Sequence, residues 1–220
     1  SAGSCGGQFT ANTMACVSEA LGLALPGSAG PPAPYESRDA YCEASGHAVM
    51  RLLADKIRPR DIVTRKSLEN AAMVVAATGG STNAGLHLPA IAHEAGIKFD
   101  LDDVCRIFRK TPYIADLKPG GKYVAKDMFD AGGMPMLLRA LFDAGLLHGD
   151  CMTVTGQTMA QNLKDVKFDK TQVVIRPVKN PLTPTGGVVG LKGNLSPQGA
   201  IVKVAGMKMQ KFSGPARVFD

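Results

Sequence analysis

The chain has 220 residues, 45% of them hydrophobic and 20% charged, a balance that suits a packed core of one domain or one and a half and excludes a disordered or fibrous chain. The net charge of +6 is spread thinly. Its densest stretch, Lys56, Arg58, Arg60, Arg65 and Lys66, reads as a solvated helix end and loop, not as a nucleic-acid footprint. Tryptophan is absent, so there is little with which to build a base-stacking platform, and no apolar run reaches the ~18 residues that a membrane span needs.

The first predicted element is a helix from about Thr10 to Leu25, because Phe9, Met14, Val17, Leu21 and Leu25 recur at near-helical steps before Pro26-Gly27. A rigid loop of Gly30-Pro31-Pro32-Ala33-Pro34 follows. Ser37 can cap a second helix running to about Lys56, with Tyr41, Ala44, Ala48, Leu52 and Leu53 facing inward. Thr64 can cap a third, ending near Ala77. Gly79-Gly80 then breaks the chain, and Ser81 or Thr82 can start a helix that ends at Gly96. Asp100 and Asp103 place negative charge in the first turn of a short helix over 101–109, where the helix dipole favours it. Residues 113–117 are a candidate strand, and Met134 to Ala144 a helix closed by Gly145.

The texture changes after about residue 166. Residues 173–175, 188–191 and 201–204 are short β-branched runs separated by turn-rich segments such as Thr183-Pro184-Thr185-Gly186-Gly187, the pattern of an all-β module. The fold class expected is α/β, with a helix-rich portion over residues 1–168 and the start of a β domain over 169–220. Three strands leave a sheet unclosed, with exposed edges, which reads as a piece of a longer protein.

Three motifs can carry chemistry. In Gly3-Ser4-Cys5-Gly6-Gly7-Gln8-Phe9-Thr10-Ala11-Asn12-Thr13-Met14, a cysteine between glycines lies just before a helix. Backbone amides can approach its sulfur and the helix N-terminus favours a thiolate, so Cys5 suits a metal or cluster ligand or a nucleophile; a buried structural cysteine beside a tight turn is the plainer alternative. Ala77-Thr78-Gly79-Gly80-Ser81-Thr82-Asn83-Ala84 can offer amides and hydroxyls to a carboxylate or phosphate, or can merely cap a helix. Thr153 to Leu163 reads as a strand–turn–helix, either plain or lining a site. His47, His87, His93 and His148 match no metal-binding spacing and read as structural or surface residues. Cys16, Cys42, Cys105 and Cys151 read as core residues. The odd number and wide spacing of the five cysteines argue against a disulfide framework and for a reducing, cytoplasmic compartment; because the chain starts without Met, organellar targeting stays open.

These motifs together resemble the dihydroxy-acid dehydratase family, whose relatives include phosphogluconate and sugar-acid dehydratases. The resemblance is carried in order by Gly3–Met14, Glu19-Ala20-Leu21-Gly22-Leu23 with Leu25-Pro26-Gly27, Gly79–Ala84 with Leu86-His87-Leu88, Thr153–Leu163, and Asn180-Pro181-Leu182 with Pro184-Thr185-Gly186-Gly187. It covers essentially the whole chain, and Cys-Gly-Gly followed by Phe-Thr-Ala-Asn-Thr-Met is similar to the dihydroxy-acid branch. It implies an α/β domain followed by a β-barrel like the swivelling domain of aconitase, and typically a homodimer. It implies dehydration of a 2,3-dihydroxy-3-methyl carboxylate to a 2-keto acid in valine and isoleucine synthesis, with no nucleic-acid or membrane partner. An iron–sulfur cluster (2Fe-2S or 4Fe-4S) held by three cysteines would act beside Mg2+, with Cys5 the third cluster ligand. Ser81, Thr82 and Asn83 are the candidates for hydrogen bonding to substrate. The family's Cys-Asp-Lys motif, its second cluster cysteine, its magnesium ligands and its serine base have no match in this sequence. An aldonate dehydratase of the same family, or a non-catalytic metal-binding or scaffold piece, is the alternative reading.

Overall fold

A computed structural model describes residues 3–209 and 211–219. Among them are nine helices and one two-stranded antiparallel sheet, a mixed α/β chain weighted heavily to helix. The helices are α1 (Thr10–Leu21), α2 (Ser37–Ala54), α3 (Pro59–Ile62), α4 (Arg65–Ala77), α5 (Ala84–Glu94), α6 (Leu101–Lys110), α7 (Ala125–Asp130), α8 (Gly133–Asp143) and α9 (Met159–Asn162). The strands are β1 (Val188–Gly193) and β2 (Ser196–Lys203).

The core forms around α4, whose Leu68, Ala71, Ala72, Val74, Val75, Ala76 and Ala77 are all fully buried. Small alanines on that face let α1 and α6 approach closely, and ridge-into-groove packing of this kind brings helix axes to about 8–10 Å. Val17, Ala20 and Leu21 of α1, Val104 and Phe108 of α6, and Leu137 and Leu141 of α8 complete it. Thr64 caps α4 by accepting from the Ser67 N–H, and Asp100 caps α6 by accepting from the Asp103 N–H. Both helices begin where the sequence places them.

Three expectations change. First, α1 ends at Leu21, not Leu25. Gly22 takes a left-handed conformation (φ +84°) and a Cβ there would lie 2.7 Å from the Met152 carbonyl oxygen, so close approach of the 152–153 segment stops the helix one turn early. Second, α2 begins at Ser37 with Glu36 in the capping position and no side-chain cap. Of its five supposed inward residues only Ala48 is buried, while Leu53 is largely exposed, because no neighbouring element covers that face. Cys42, on the same helix, is exposed and not a core residue.

Third, the run 173–175 makes no strand. Ile175 and Ala115 form a single bridge, Tyr113 bridges Thr183, and the Ile114 and Ala115 N–H groups both donate to the Ala77 carbonyl. The 113–117 segment is thus extended but stitched to three different places, so no ladder forms. Val174, Ile175 and Val188 belong to the same core as α1, α4 and α8. The β1–β2 hairpin lies on α6 and α5, with Gly190 against Cys105 and Ile201 against Gly85.

Candidate functional site

The loop before α1 is held at three points. The Gln8 N–H donates to the Lys118 carbonyl (2.6 Å), and Gly7 packs so closely there that a Cβ would stand 2.6 Å from the same oxygen. Gly3 lies against the start of α7, where a Cβ would stand 3.0 Å from Lys126 N and 3.3 Å from Ala125 Cβ, and its carbonyl accepts from the Ala33 N–H. The third hold is a buried polar chain. The Ser4 hydroxyl donates to Asn12 Oδ1 (3.1 Å), Asn12 Nδ2 to Gln8 Oε1 (2.7 Å), Gln8 Nε2 to Thr78 Oγ1 (3.1 Å), and Thr78 Oγ1 to the Val74 carbonyl (2.8 Å). Such a satisfied network in a low-dielectric interior resists displacement of any member.

Between these anchors stand Cys5, half-buried, and Gly6, exposed. The nearest atom to a Cβ built on Gly6 is a Phe9 ring carbon at 3.8 Å. The fold therefore fixes the flanks of Cys5 and leaves open space over Gly6, the residue next to it.

The Gly79–Asn83 turn is tied to the same helix start. Ser81 Oγ meets Thr10 Oγ1 at 2.9 Å, Asn83 Nδ2 donates to Thr10 Oγ1 at 2.9 Å, and the Ser81 N–H donates to Thr13 Oγ1 at 3.0 Å. The two sequence motifs thus meet at the first turn of α1. The turn has fewer free donors than its sequence suggests, however. The Gly79 and Gly80 N–H groups close back on the end of α4, and the Asn83 N–H donates to Ser81 Oγ. Within this turn only Thr82 keeps both N–H and hydroxyl without a partner among the described residues. Neither Ser81 nor Thr82 is the cap of α5; Asn83 holds that position without a side-chain capping bond.

The remaining cysteines are unlike Cys5. Cys16 is buried, and burial, with the Glu19 carboxylate nearby, pushes its thiol up to about 12. Burial also raises the thiols of Cys105 and Cys151. All three are held protonated and enclosed. His148 bridges to Glu69 at 2.7 Å, while His47, His87 and His93 are exposed. Among the described residues no three His, Cys, Asp or Glu side chains converge to hold a metal ion.

The third motif lies elsewhere. Val154 N–H donates to the Gly22 carbonyl at the far end of α1, about 18 Å along its 12 residues. Thr153, Thr155 and Asn162 satisfy one another there, and nothing in that knot is directed to Cys5. The sequence reading also passed over Gln8, Thr10, Asn12, Thr13 and Thr78, the residues that lock the two motifs together. Several sit inside the quoted motifs, but polar residues at a helix start read as solvated until their burial is known.

Comparison with known proteins decides the family. The N-terminal model of the dihydroxy-acid/6-phosphogluconate dehydratases matches residues 1–162, and the C-terminal model matches residues 173–220. The chain belongs to the dihydroxy-acid/6-phosphogluconate dehydratase family. Within that family it is 75% identical over its whole length to a dihydroxy-acid dehydratase of Parvibaculum lavamentivorans and 73% identical to one of Pelagibacter ubique. A dihydroxy-acid dehydratase of Sulfolobus acidocaldarius is 52% identical over 99% of the chain. The chain spans 38% of the length of the first two of these dehydratases and 39% of the third.

Proposed function

We propose that this chain forms the Cys5-bearing part of a dihydroxy-acid dehydratase. The observation that carries the reading is the Cys5 loop, clamped on both flanks, open over Gly6 and leading into the helix start to which the Gly79–Asn83 turn is tied. The residues fit one corner of an iron–sulfur cluster, with Cys5 as a single thiolate ligand, and do not by themselves complete a ligand set. When bound, such a cluster supplies Lewis acidity at the C3 hydroxyl of the substrate. Among the described residues no three His, Cys, Asp or Glu side chains gather into a magnesium site.

The reaction proposed removes a proton from C2 and hydroxide from C3 of a 2,3-dihydroxy-3-methyl carboxylate. Water leaves, and the resulting enol tautomerises to the 2-keto acid. Thr82 N–H and Oγ1 would hydrogen-bond the substrate, a role in which a donor fixed on a helix start loses little freedom. Ser81 and Asn83 would act beside it, their side chains meanwhile holding Thr10. The segment after residue 169 would open a β-barrel domain and residues 1–168 would belong to the cluster-binding domain, a division supported by the two family models that meet across residues 163–172. Five unpaired thiols suit a reducing, cytoplasmic compartment. Among the described residues no helix is long and apolar enough to cross a membrane.

A chimera tests this reading: the matching segment of the Parvibaculum lavamentivorans dehydratase is replaced by these 220 residues. At 75% identity the grafted core should pack, and the chimera should convert 2,3-dihydroxy-3-methylbutanoate to its 2-keto acid at a rate near the parent's. A folded chimera that dehydrates aldonates in preference, or neither substrate, would overturn the assignment.

A further inference from the structure

Three glycines from three separate segments close on one side chain. The turn after β2 is shut by the Met207 N–H donating to the Val204 carbonyl, and half-buried Ala205 lies within it. A Cβ built on Gly79 would stand 2.9 Å from the Ala205 methyl, one on Gly120 also 2.9 Å from it, and one on Gly187 3.0 Å from it. The Tyr113 ring comes within 3.0 Å of the same point at Gly79, so that glycine is caught between a ring and a methyl. The Val204 and Ala205 N–H groups both donate to the Gly187 carbonyl, and the Gly187 N–H donates to the Ala76 carbonyl in the last turn of α4. Only glycine lets backbone approach this closely, and a contact so packed transmits displacement instead of absorbing it.

Two of these glycines lead to the site. Gly79 opens the turn that carries Thr82, and the Ser81 N–H of that turn donates to Thr13 Oγ1 on α1. Gly120 lies two residues from Lys118, whose carbonyl accepts from the Gln8 N–H and so anchors the Cys5 loop. One methyl from the segment after β2 is therefore a common stop for both. We propose that Ala205 is a positioning residue of the dehydration site, a spacer that sets the distance between the Thr82 turn and the Cys5 loop. It rests on the reading of Cys5 as cluster ligand and Thr82 as substrate contact, and it acts through Gly79 and Gly120 instead of touching substrate. A smaller residue leaves the two segments unbraced, and a larger one forces them apart. Either change moves the substrate relative to the cluster, and a misplacement of about 1 Å can cost ~100-fold in rate.

Amide hydrogen exchange followed by NMR on the chain reads the bracing directly. The Gln8 and Ser81 amides are the reporters, since each bonds across from one segment to another. Ala205→Gly removes the methyl and adds no bulk, so the fold survives; it should speed exchange at both reporters at least ~threefold and leave the amides of α8 at the native rate. In the chimera, Ala205→Val should lower kcat per bound iron at least ~tenfold and Ala205→Gly at least ~threefold, with KM changed less than kcat and iron content kept. A merely structural role would lower the melting temperature and spare the kcat of the folded protein. An inactive unmodified chimera would overturn the dehydratase reading and this proposal with it. An active chimera whose kcat ignores both substitutions, or exchange that quickens only at residues 186–188 and 204–207, would overturn the spacer alone.

Discussion

Glu19 is a buried carboxylate that ties down the loop between α1 and α2, accepting from the Gly27 and Ala29 N–H groups at 2.7 Å each. Burial outweighs those two bonds and raises its carboxyl from 4.5 to about 7. Between those values the folded chain holds a proton that the unfolded chain has lost, so stability falls as pH rises from 4.5 to 7 and levels off above it, by up to ~3 kcal/mol. Urea unfolding at a series of pH values should show this slope in the native chain and its loss in Glu19→Gln. At Gly7, a methyl group would strike the Lys118 carbonyl; Gly7→Ala should cost about 1–3 kcal/mol of stability in thermal melts. Gly6→Ala meets nothing closer than 3.8 Å and should stay within ~0.5 kcal/mol. If the open space over Gly6 takes a cluster, the same Gly6→Ala change in the chimera should lower iron loading despite its neutral melt. Thr82→Val in the chimera removes the one free hydroxyl of the turn. It should weaken kcat/KM by about 1–3 kcal/mol with the fold intact, whereas an unchanged kcat/KM would relieve Thr82 of any substrate contact.

Helices α4 and α6 are pinned at their starts by Asp103, which accepts from Arg65 Nη2 at 2.6 Å and also pairs with Arg106. Arg65 in turn donates to the Lys98 carbonyl and lies over the Phe99 ring. The Arg65 guanidinium holds the Asp103 carboxyl down at about 2. Its stabilisation is therefore complete above the ordinary carboxylate range near 4 and is lost as pH falls through 2. Asp103→Asn should destabilise the chain by about 1–3 kcal/mol at neutral pH, measured by chemical denaturation, with the difference from the native chain narrowing toward pH 2. The starts of these two helices were legible in the sequence because a capping residue acts on amides two or three positions away. The outward face of α2 and the missing strand at 173–175 were not. Leu53 and Ile175 are both apolar residues in regular patterns, and which one is buried depends on what the rest of the chain brings beside it.

Across the whole molecule one core runs from α1 through α4, α6 and α8 to Val174, Ile175 and Val188. The two motifs singled out by their glycines and small polar residues, around Cys5 and Thr82, do meet at the start of α1. What holds them together was hidden, because Gln8, Asn12 and Thr78 act through burial and long-range hydrogen bonds between residues up to 70 positions apart. We propose that this architecture serves to present the sulfur of Cys5 to a cluster. The most direct test is the iron and acid-labile sulfide content of the chimera carrying Cys5→Ser, reconstituted under argon beside the unmodified chimera. The cysteine's neighbours are anchored independently of its sulfur, so the variant should melt at the same temperature yet lose most of its iron, its sulfide and its visible cluster absorbance. Full iron and sulfide in a folded Cys5→Ser protein would contradict the account.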